Sequence, residues 1–355
     1  MPQGERGRRA TIHDVARRAG VSAATVSKVL RGNTTVQAEN VARVQDAVRG
    51  LGYRVDPLAA GLRHEQRRII GAIVPDLESS FFGALVTGLE RAAEAAGYDM
   101  IVASSRENEA REAELATRMN DWRVAGTVLV PVRSERGLGA AMLRELGTHA
   151  VLVDRVAADD HFDTVTADNE EAAAAVADFL VARGHTHMLL HAATHVSKAV
   201  RLRVEGFTAR AAARAPRARI DTLISDGDRP TQQRAIRDYF DARDRRDWPT
   251  AVFSLSQHST LLVLSELRRR ELRIPGEIAL VGFDDADWMQ TTWPSITAVA
   301  QPVTAIAIRA LETLLERVDA ADARAPVHHL EACMLRVRQS CGPAGAVADG
   351  YGLTA

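Results

Sequence analysis

An all-α head followed by two parallel-sheet α/β halves is the fold class this sequence predicts, and three observations predict it. Near the N-terminus, TIHDVARRAGVSAATVSKVL (Thr11 to Leu30) carries two short amphipathic helix patterns joined at a glycine. After residue 68, apolar runs of strand length alternate with helical patterns, which is the signature of a parallel sheet. The same alternation then starts again in the second half. With 355 residues, 46% of them hydrophobic, the chain has room for two or three domains with sizeable cores.

In the head, Thr11 is placed to cap a first helix whose apolar side is Ile12, Val15, Ala16 and Ala19. Gly20 permits the positive φ of a tight turn, and Ser22 is placed to cap a second helix with Val26, Val29 and Leu30 on its buried side. Small Ala16 lets the two helices approach, and the spacing Ala16, Gly20, Val26 is that of a helix-turn-helix. The exposed side is then Ala23, Ala24, Ser27 and Lys28. The plainer alternative is a pair of surface helices that meet at a glycine. A third helical pattern, Ala38 to Gly50, argues against it by putting Val41, Val44, Ala47, Val48 and Leu51 on one side, since three such stripes make a miniature core.

Charge points the same way. Residues 1 to 63 carry eleven Lys or Arg against five Asp or Glu, net +6, and the remainder carries 34 basic and 41 acidic residues, net −7. A cationic module on an anionic body is the electrostatic footprint of nucleic-acid binding. Residues 1–9 add Arg6, Arg8 and Arg9 without apolar periodicity and read as a disordered basic arm.

In the body, strand runs at Ile69 to Val74, Met100 to Ala103, Thr127 to Val130 and Ala150 to Val153 alternate with helices near Phe82 to Ala96, Glu109 to Asp121 and Leu138 to Leu146. The second half continues with helix Asn169 to Arg183, strand His187 to His191, helix Val200 to Ala213, strand Ala251 to Phe253, helix Ser259 to Arg270 and strand Ile278 to Val281. No linker rich in Gly, Pro or Ser separates the halves, so shared crossovers are expected.

Other chemistries find little support. No apolar run approaches the roughly 20 residues of a membrane span, and the Arg-rich N-terminus has no apolar segment behind it, so a cytoplasmic protein without a membrane partner is expected. Cys333 and Cys341 are the only cysteines; they could pair, but idle reduced thiols suit a cytosolic protein better. The histidine pairs His185 and His187, His191 and His195, and His328 and His329 lack clustered Cys or carboxylate partners, so no metal is expected. The stretch SDGD at Ser225 to Asp228 is too short for a calcium loop. No phosphate loop, nucleophile elbow or HExxH motif occurs, and no cofactor is expected.

Several segments together resemble bacterial transcription regulators of the lac repressor and galactose repressor family. TIHDVARRAGVSAATVSKVL resembles the family's DNA-binding headpiece, and LGYRVDPLAAGLR its end and hinge. RRIIGAIVPDLESSFFGALVTGLERAAEAAGYDMIVAS resembles the first strand-helix-strand of its effector domain, and RVEGF (Arg203 to Phe207), PTAVF (Pro249 to Phe253) and IPGEIALVGFDD (Ile274 to Asp285) continue it. The resemblance implies a headpiece at 10–55, a hinge at 56–66, an effector-binding and dimerisation domain at 67–342 and a flexible tail at 343–355. Within the effector domain it implies two doubly wound subdomains like those of a periplasmic sugar-binding protein, about 67–168 with 300–327 and about 169–298 with 328–342. The chain crosses between them near Asp168, near Thr297 to Gln301 and near Val327.

The resemblance also assigns roles. On DNA, Ala23, Ala24 and Lys28 would lie nearest base edges, while Thr11, Ser22, Thr25 and Ser27 hold phosphates or cap helices. Lys28 stands where the family commonly has arginine, a single-point donor in place of a bidentate one. In the hinge, Leu62 would wedge into the minor groove of a pseudo-palindromic double-stranded operator, flanked by Ala59 and Arg63. In the cleft, Asp284 and Arg203 match ligand-contacting residues, and Asp168 with Asn169 matches a crossing pair. Capping the helix that follows would explain one of the two without any ligand. Phe81, Phe82 and Phe253 are each either an aromatic wall for a ligand or core. Ser256 and Gln257 depart from the family's Asn-Asp, so a carboxylate is lost there, and copying a relative's sugar would be unsafe. Lys198 is either a replacement cation or a solvated surface residue.

The function expected is therefore a DNA-binding repressor switched by a small, sugar-like effector. It would act as a homodimer, because Gly342 to Ala355 has no leucine heptad. The alternatives are a sugar-binding protein of transport, which the full DNA-binding head argues against, and a fused sugar-processing enzyme. Against the latter, Asp284 and Arg203 show no catalytic partner.

Overall fold

A computed structural model describes residues 10–30, 36–53, 68–135, 137–156, 159, 161–193, 197–320 and 324–342. The expected arm (1–9), hinge (56–66, with Ala59, Leu62 and Arg63) and tail (343–355) lie outside the described residues. The chain divides into two compact units, Met1–Arg67 and Arg68–Ala355.

The first unit is a three-helix head: α1 (Ile12–Ala19), α2 (Ala23–Leu30) and α3 (Ala38–Leu51). Thr11 and Asp14 form a reciprocal cap on α1, each side chain accepting from the other's backbone N–H, at 3.3 and 2.9 Å. Gly20 takes the left-handed conformation, φ 64°, at the turn. Ser22 Oγ accepts from the Thr25 backbone N–H at 3.1 Å and opens α2. Val15, Ala16, Ala19, Val26, Val44 and Ala47 make the buried centre, with Ile12, Val29, Leu30, Val48 and Leu51 packed around it. Ala23 also packs against this core half-buried, so the reading face of α2 is narrower than the sequence pattern implied.

The second unit holds two six-stranded sheets. The first lobe contains β1 (Ile69–Val74), β2 (Asp99–Ser104), β3 (Gly126–Leu129), β4 (Ala150–Val153), β5 (Asp163–Ala167) and β11 (His328–Glu331), in the order β11-β5-β4-β3-β1-β2. The second lobe contains β6 (His187–Ala192), β7 (Arg219–Ile224), β8 (Ala251–Ser254), β9 (Ala279–Phe283), β10 (Thr297–Ala300) and β12 (Met334–Arg336), in the matching order β12-β10-β9-β8-β6-β7. All pairs are parallel except β10 with β12. Around the first sheet lie α4 (Ser80–Ala95), α5 (Glu109–Asp121), α6 (Leu138–Glu145) and α12 (Val303–Asp319); around the second lie α7 (Asn169–Val181), α8 (Lys198–Arg214), α9 (Arg229–Asp241), α10 (Gln257–Arg269) and α11 (Asp287–Thr291). Each sheet has apolar clusters among its buried strands and covering helices, as a doubly wound sheet requires.

The body departs from the expected one in its third crossing and in several elements the sequence did not announce. The third crossing falls between Glu331 and Met334 rather than near Val327, because His328–Glu331 pairs parallel with β5 in the first sheet. This strand, HHLE, is a half-exposed edge with no apolar run to announce it. The elements β7 and α9, unread in the sequence, fill residues 219–241. The first is an edge strand without a fully buried residue, and the second is a highly charged helix.

Candidate functional site

The head presents Ala24 and Lys28 exposed on α2, with Ser22 exposed at its start. The hydroxyls of Ser22 and Thr25 lie 2.9 Å apart, and Thr11 Oγ1 donates to Asp14 at 2.7 Å, so Thr11 and Ser22 already serve as caps and Thr25 is bonded to the second. Ser27 is partly buried on the same helix.

The body is opened by a cleft of about 1280 Å³ at the carboxyl ends of the strands of both sheets. Its floor in the second lobe is built around Arg203. This side chain is 4% exposed, and its Nε donates to Asn169 Oδ1 at 2.7 Å while Nη1 donates to the Leu255 carbonyl at 2.5 Å. The guanidinium lies 3.5 Å from the Phe283 ring centre, a cation–π contact that fixes its plane. Holding an arginine by neutral acceptors and a ring leaves its charge and remaining N–H groups for a ligand. Asp284 follows β9 in the left-handed region, φ 65°, with Oδ1 accepting from Gln301 Nε2 at 2.5 Å and Oδ2 from the Gln257 backbone N–H at 3.4 Å.

From the first lobe come Phe81 and Phe82 at the start of α4, edge to face with ring centres 5.2 Å apart, and Asp154 with Arg155 just after β4. Asp154 is 6% exposed and left-handed, φ 66°. Burial raises its carboxyl above the usual aspartate range, against the pull of Arg203 and Arg155. Arg155 forms a two-pronged ion pair with Glu107, at 2.7 and 2.8 Å, and lies 5.3 Å from the Phe82 ring centre. Gln257 spans the cleft: its Nε2 donates to Ser79 Oγ at 3.2 Å and its Oε1 accepts from Ser80 Oγ at 2.9 Å.

The cleft thus brings together Phe81, Phe82, Arg203, Ser256, Gln257 and Asp284 among the residues singled out in the sequence. It does not bring in three others. Phe253 is fully buried between Phe207 and Phe283, with ring centres at 5.6 and 6.4 Å, and is core. Asp168 caps α7 by accepting from the Glu171 N–H at 3.1 Å. Lys198 has its ammonium 4.0 Å from Glu205 and does not line the cavity. Ser256 does line it but is also the cap of α10, accepting from the Ser259 N–H at 3.1 Å. Sequence reasoning missed Asp154, Arg155, Glu107 and Gln301. The first was within reach: Asp154 directly follows the apolar run Ala150 to Val153, just as Asp284 follows its own strand.

Helix-turn-helix head and two-lobed binding body together define a DNA-binding regulator built to respond to a small molecule. The comparisons agree. Residues 11–56 match the model of bacterial regulatory proteins of the lacI family, and residues 177–341 match that of a periplasmic binding protein-like domain. The chain is 32% identical over 312 residues, 87% of its length and 89% of the relative's, to the HTH-type transcriptional regulator PtxS of Pseudomonas plecoglossicida. The lac repressor dimer bound to operator and the anti-inducer ONPF has a similar fold, with TM-score 0.81 at 21% identity over 94% of this chain and 99% of that one. So does the transcriptional regulator CelR in its cellobiose complex, with TM-score 0.69 at 24% identity over 94% and 100%. The chain belongs to the lacI family of bacterial regulatory proteins, and it is a transcription regulator rather than an enzyme. Among the described residues, no helix is long and apolar enough to cross a membrane.

Proposed function

We propose that this regulator is a cytoplasmic homodimeric repressor whose operator affinity is set by a sugar-like metabolite held between the two lobes. The observation that carries the reading is the pair Arg203 and Asp154, a buried guanidinium and a buried carboxyl supplied by opposite lobes to one cavity. A polyhydroxylated molecule offers acceptors to the first and donors to the second, so binding it ties the lobes together. Phe81 and Phe82 supply an apolar wall, and Asp284, Ser256 and Gln257 supply further polar contacts. A ligand of this kind shifts operator affinity to the extent that it binds one lobe arrangement better than another.

On DNA, Lys28 and Ala24 are the proposed base readers, Ser22, Thr25, Ser27 and Thr11 the phosphate-side group, and Ala59, Leu62 and Arg63 the minor-groove group of the hinge. Selection from random DNA should return an inverted repeat, and Lys28→Ala should weaken binding to it by about 1–3 kcal/mol while weakening non-specific binding less. A thermal-shift screen of sugars, sugar acids and nucleosides identifies the effector, since cleft binding raises apparent stability by mass action. A hit that leaves operator affinity unchanged, or selected DNA without an inverted repeat, overturns the reading.

A further inference from the structure

The polar groups that the cleft leaves without partners are mostly acceptors. Asp154 is 6% exposed and lines the cavity, yet among the described residues no group hydrogen-bonds to its carboxyl. Arg203 and Arg155 act on it only through space, as do Asp284 and Glu107 with the opposite sign. Gln301 gives its Nε2 hydrogen to Asp284, and its buried Oε1 is left without a donor. Few free donors stand against these. Arg203 has Nε and Nη1 engaged and offers its Nη2, while Arg155 is closed by its two-pronged pair with Glu107. The wider lining has the same bias, with eight Asp or Glu residues against three Arg. One of the eight, Asp285, is neutralised by Arg338, and one of the three, Arg336, is exposed.

We propose that the cleft is a charge filter: it admits a polyol that is uncharged or carries an ammonium group, and it rejects the carboxylate and phosphate forms of the same carbon skeleton. The filter narrows the effector reading and rests on it. A hydroxyl donates to Asp154 or Gln301 and accepts from Arg203, so one neutral group serves both kinds of partner, and an ammonium serves the carboxyls. A carboxylate only accepts, and so does a phosphate dianion. Its seat at Arg203 lies within the field of Asp154, and from there it leaves Asp154 and Gln301 still without a donor. Burial sharpens the choice, because like charges held away from water repel more strongly than they do in solution.

The test is calorimetry on the full chain at neutral pH with matched sets of compounds. For each of several pentoses and hexoses, a set holds the sugar, its 2-amino-2-deoxy form, its aldonic acid and its phosphate ester. In a set that binds, the sugar or its amino form should bind, and the acid and the ester should be at least about a hundredfold weaker, since a site of buried hydrogen-bonding groups strongly rejects a ligand that leaves them unpaired. Asp154→Asn removes the charge, nearly keeps the shape and tolerates the left-handed backbone of this position, φ 66°. It should narrow the gap between sugar and acid by about tenfold or more. Asp284→Asn, at φ 65°, should narrow it in the same direction, so if one variant fails to fold the other decides. An acid or ester that binds as tightly as its parent sugar overturns the filter. So does a gap that the folded variants leave unchanged, since rejection would then be a matter of shape. Silence from every member of every set removes the effector reading itself, and the filter with it.

Discussion

Arg203 of the second lobe is fixed by neutral partners, Asn169 and the Leu255 carbonyl, whereas Arg155 of the first lobe is set by charge, with Glu107 locked against it. The lobes share one strand order, so topology alone does not decide what each offers the cleft. The loops at the strand ends decide it. The second lobe holds its guanidinium by neutral hydrogen-bond partners, so those bonds do not depend on protonation, and its charge faces Asp154 of the first lobe. The first lobe places Glu107, Asp154 and Arg155 beside each other, and burial raises the Asp154 carboxyl above the usual aspartate range.

The largest effect expected separates core from site within the second lobe. Phe253→Ala should cost about 3–5 kcal/mol, because the ring is fully buried between Phe207 and Phe283. Denaturant unfolding measures this. Phe253→Leu, which keeps most of the volume, should leave effector affinity within about threefold of wild type, well under the 1.4 kcal/mol of a tenfold change. A larger loss in calorimetry would return Phe253 to the ligand wall and break the distinction between a held arginine and the core beneath it.

Next in size is a pH contrast between the lobes. Glu112 of the first lobe is fully buried with its carboxyl near 7 instead of 4.5, so the folded lobe keeps a proton that the unfolded chain has released between those values. Stability from this group is lost as pH rises from about 4.5 to 7. His191 of the second lobe is also fully buried, and burial lowers its imidazole from 6.5 to about 4. Here the unfolded chain binds the extra proton, and stability is lost as pH falls through that window. Each effect amounts to about 3 kcal/mol. They oppose each other in the wild type between about pH 4.5 and 6.5, so Glu112→Gln should leave a protein more acid-labile and His191→Gln one that weakens toward neutrality. Unfolding midpoints from pH 4.5 to 7.5 give the slopes, and slopes of one sign in both variants would dissolve the contrast.

The head was more legible in sequence than the body for a physical reason. Its signals are local: a cap at Thr11, a left-handed glycine at 20 and three apolar stripes sit within about forty residues. In the body, buried strands such as β1 announce themselves, while β7, β11 and β12 are edge strands with mixed faces and leave no apolar run. The cleft was half legible. Asp284 and Arg203 stood out by resemblance, but the Glu107–Arg155 pair joins residues 48 apart in sequence, and nothing local encodes such a meeting. Phe253 was open to either reading because an aromatic ending a strand looks the same whether it faces a ligand or a neighbouring ring.

A smaller effect is expected at Asp284. Its carboxylate holds Gln301 and the start of α10, and Asp284→Ala should reduce effector affinity by about 1–3 kcal/mol, the usual cost of leaving buried polar partners unmatched. Operator binding without effector should stay nearly unchanged. Gel-shift titrations with and without the effector read both quantities, and a loss of operator affinity in the ligand-free state would mean that Asp284 sets the resting lobe arrangement instead.

The smallest effect concerns Gln257, where the departure from the family pattern replaces a carboxylate by an amide. An amide can donate and accept together, and here it does both, toward Ser79 and toward Ser80 of the opposite lobe. These bonds lie at the cleft edge, partly in water, so the two together are worth about 1 kcal/mol. Gln257→Ala should therefore weaken effector binding by no more than about tenfold, either by making lobe closure harder or by removing a ligand contact. A double-mutant cycle decides between the two roles. If Gln257 acts through the serines, the combined Ser79→Ala and Ser80→Ala variant should cost as much as Gln257→Ala, and adding Gln257→Ala to it should cost nothing further in calorimetry. Additive losses would show that Gln257 touches the effector, and the first lobe would then meet the second through the ligand alone at this edge.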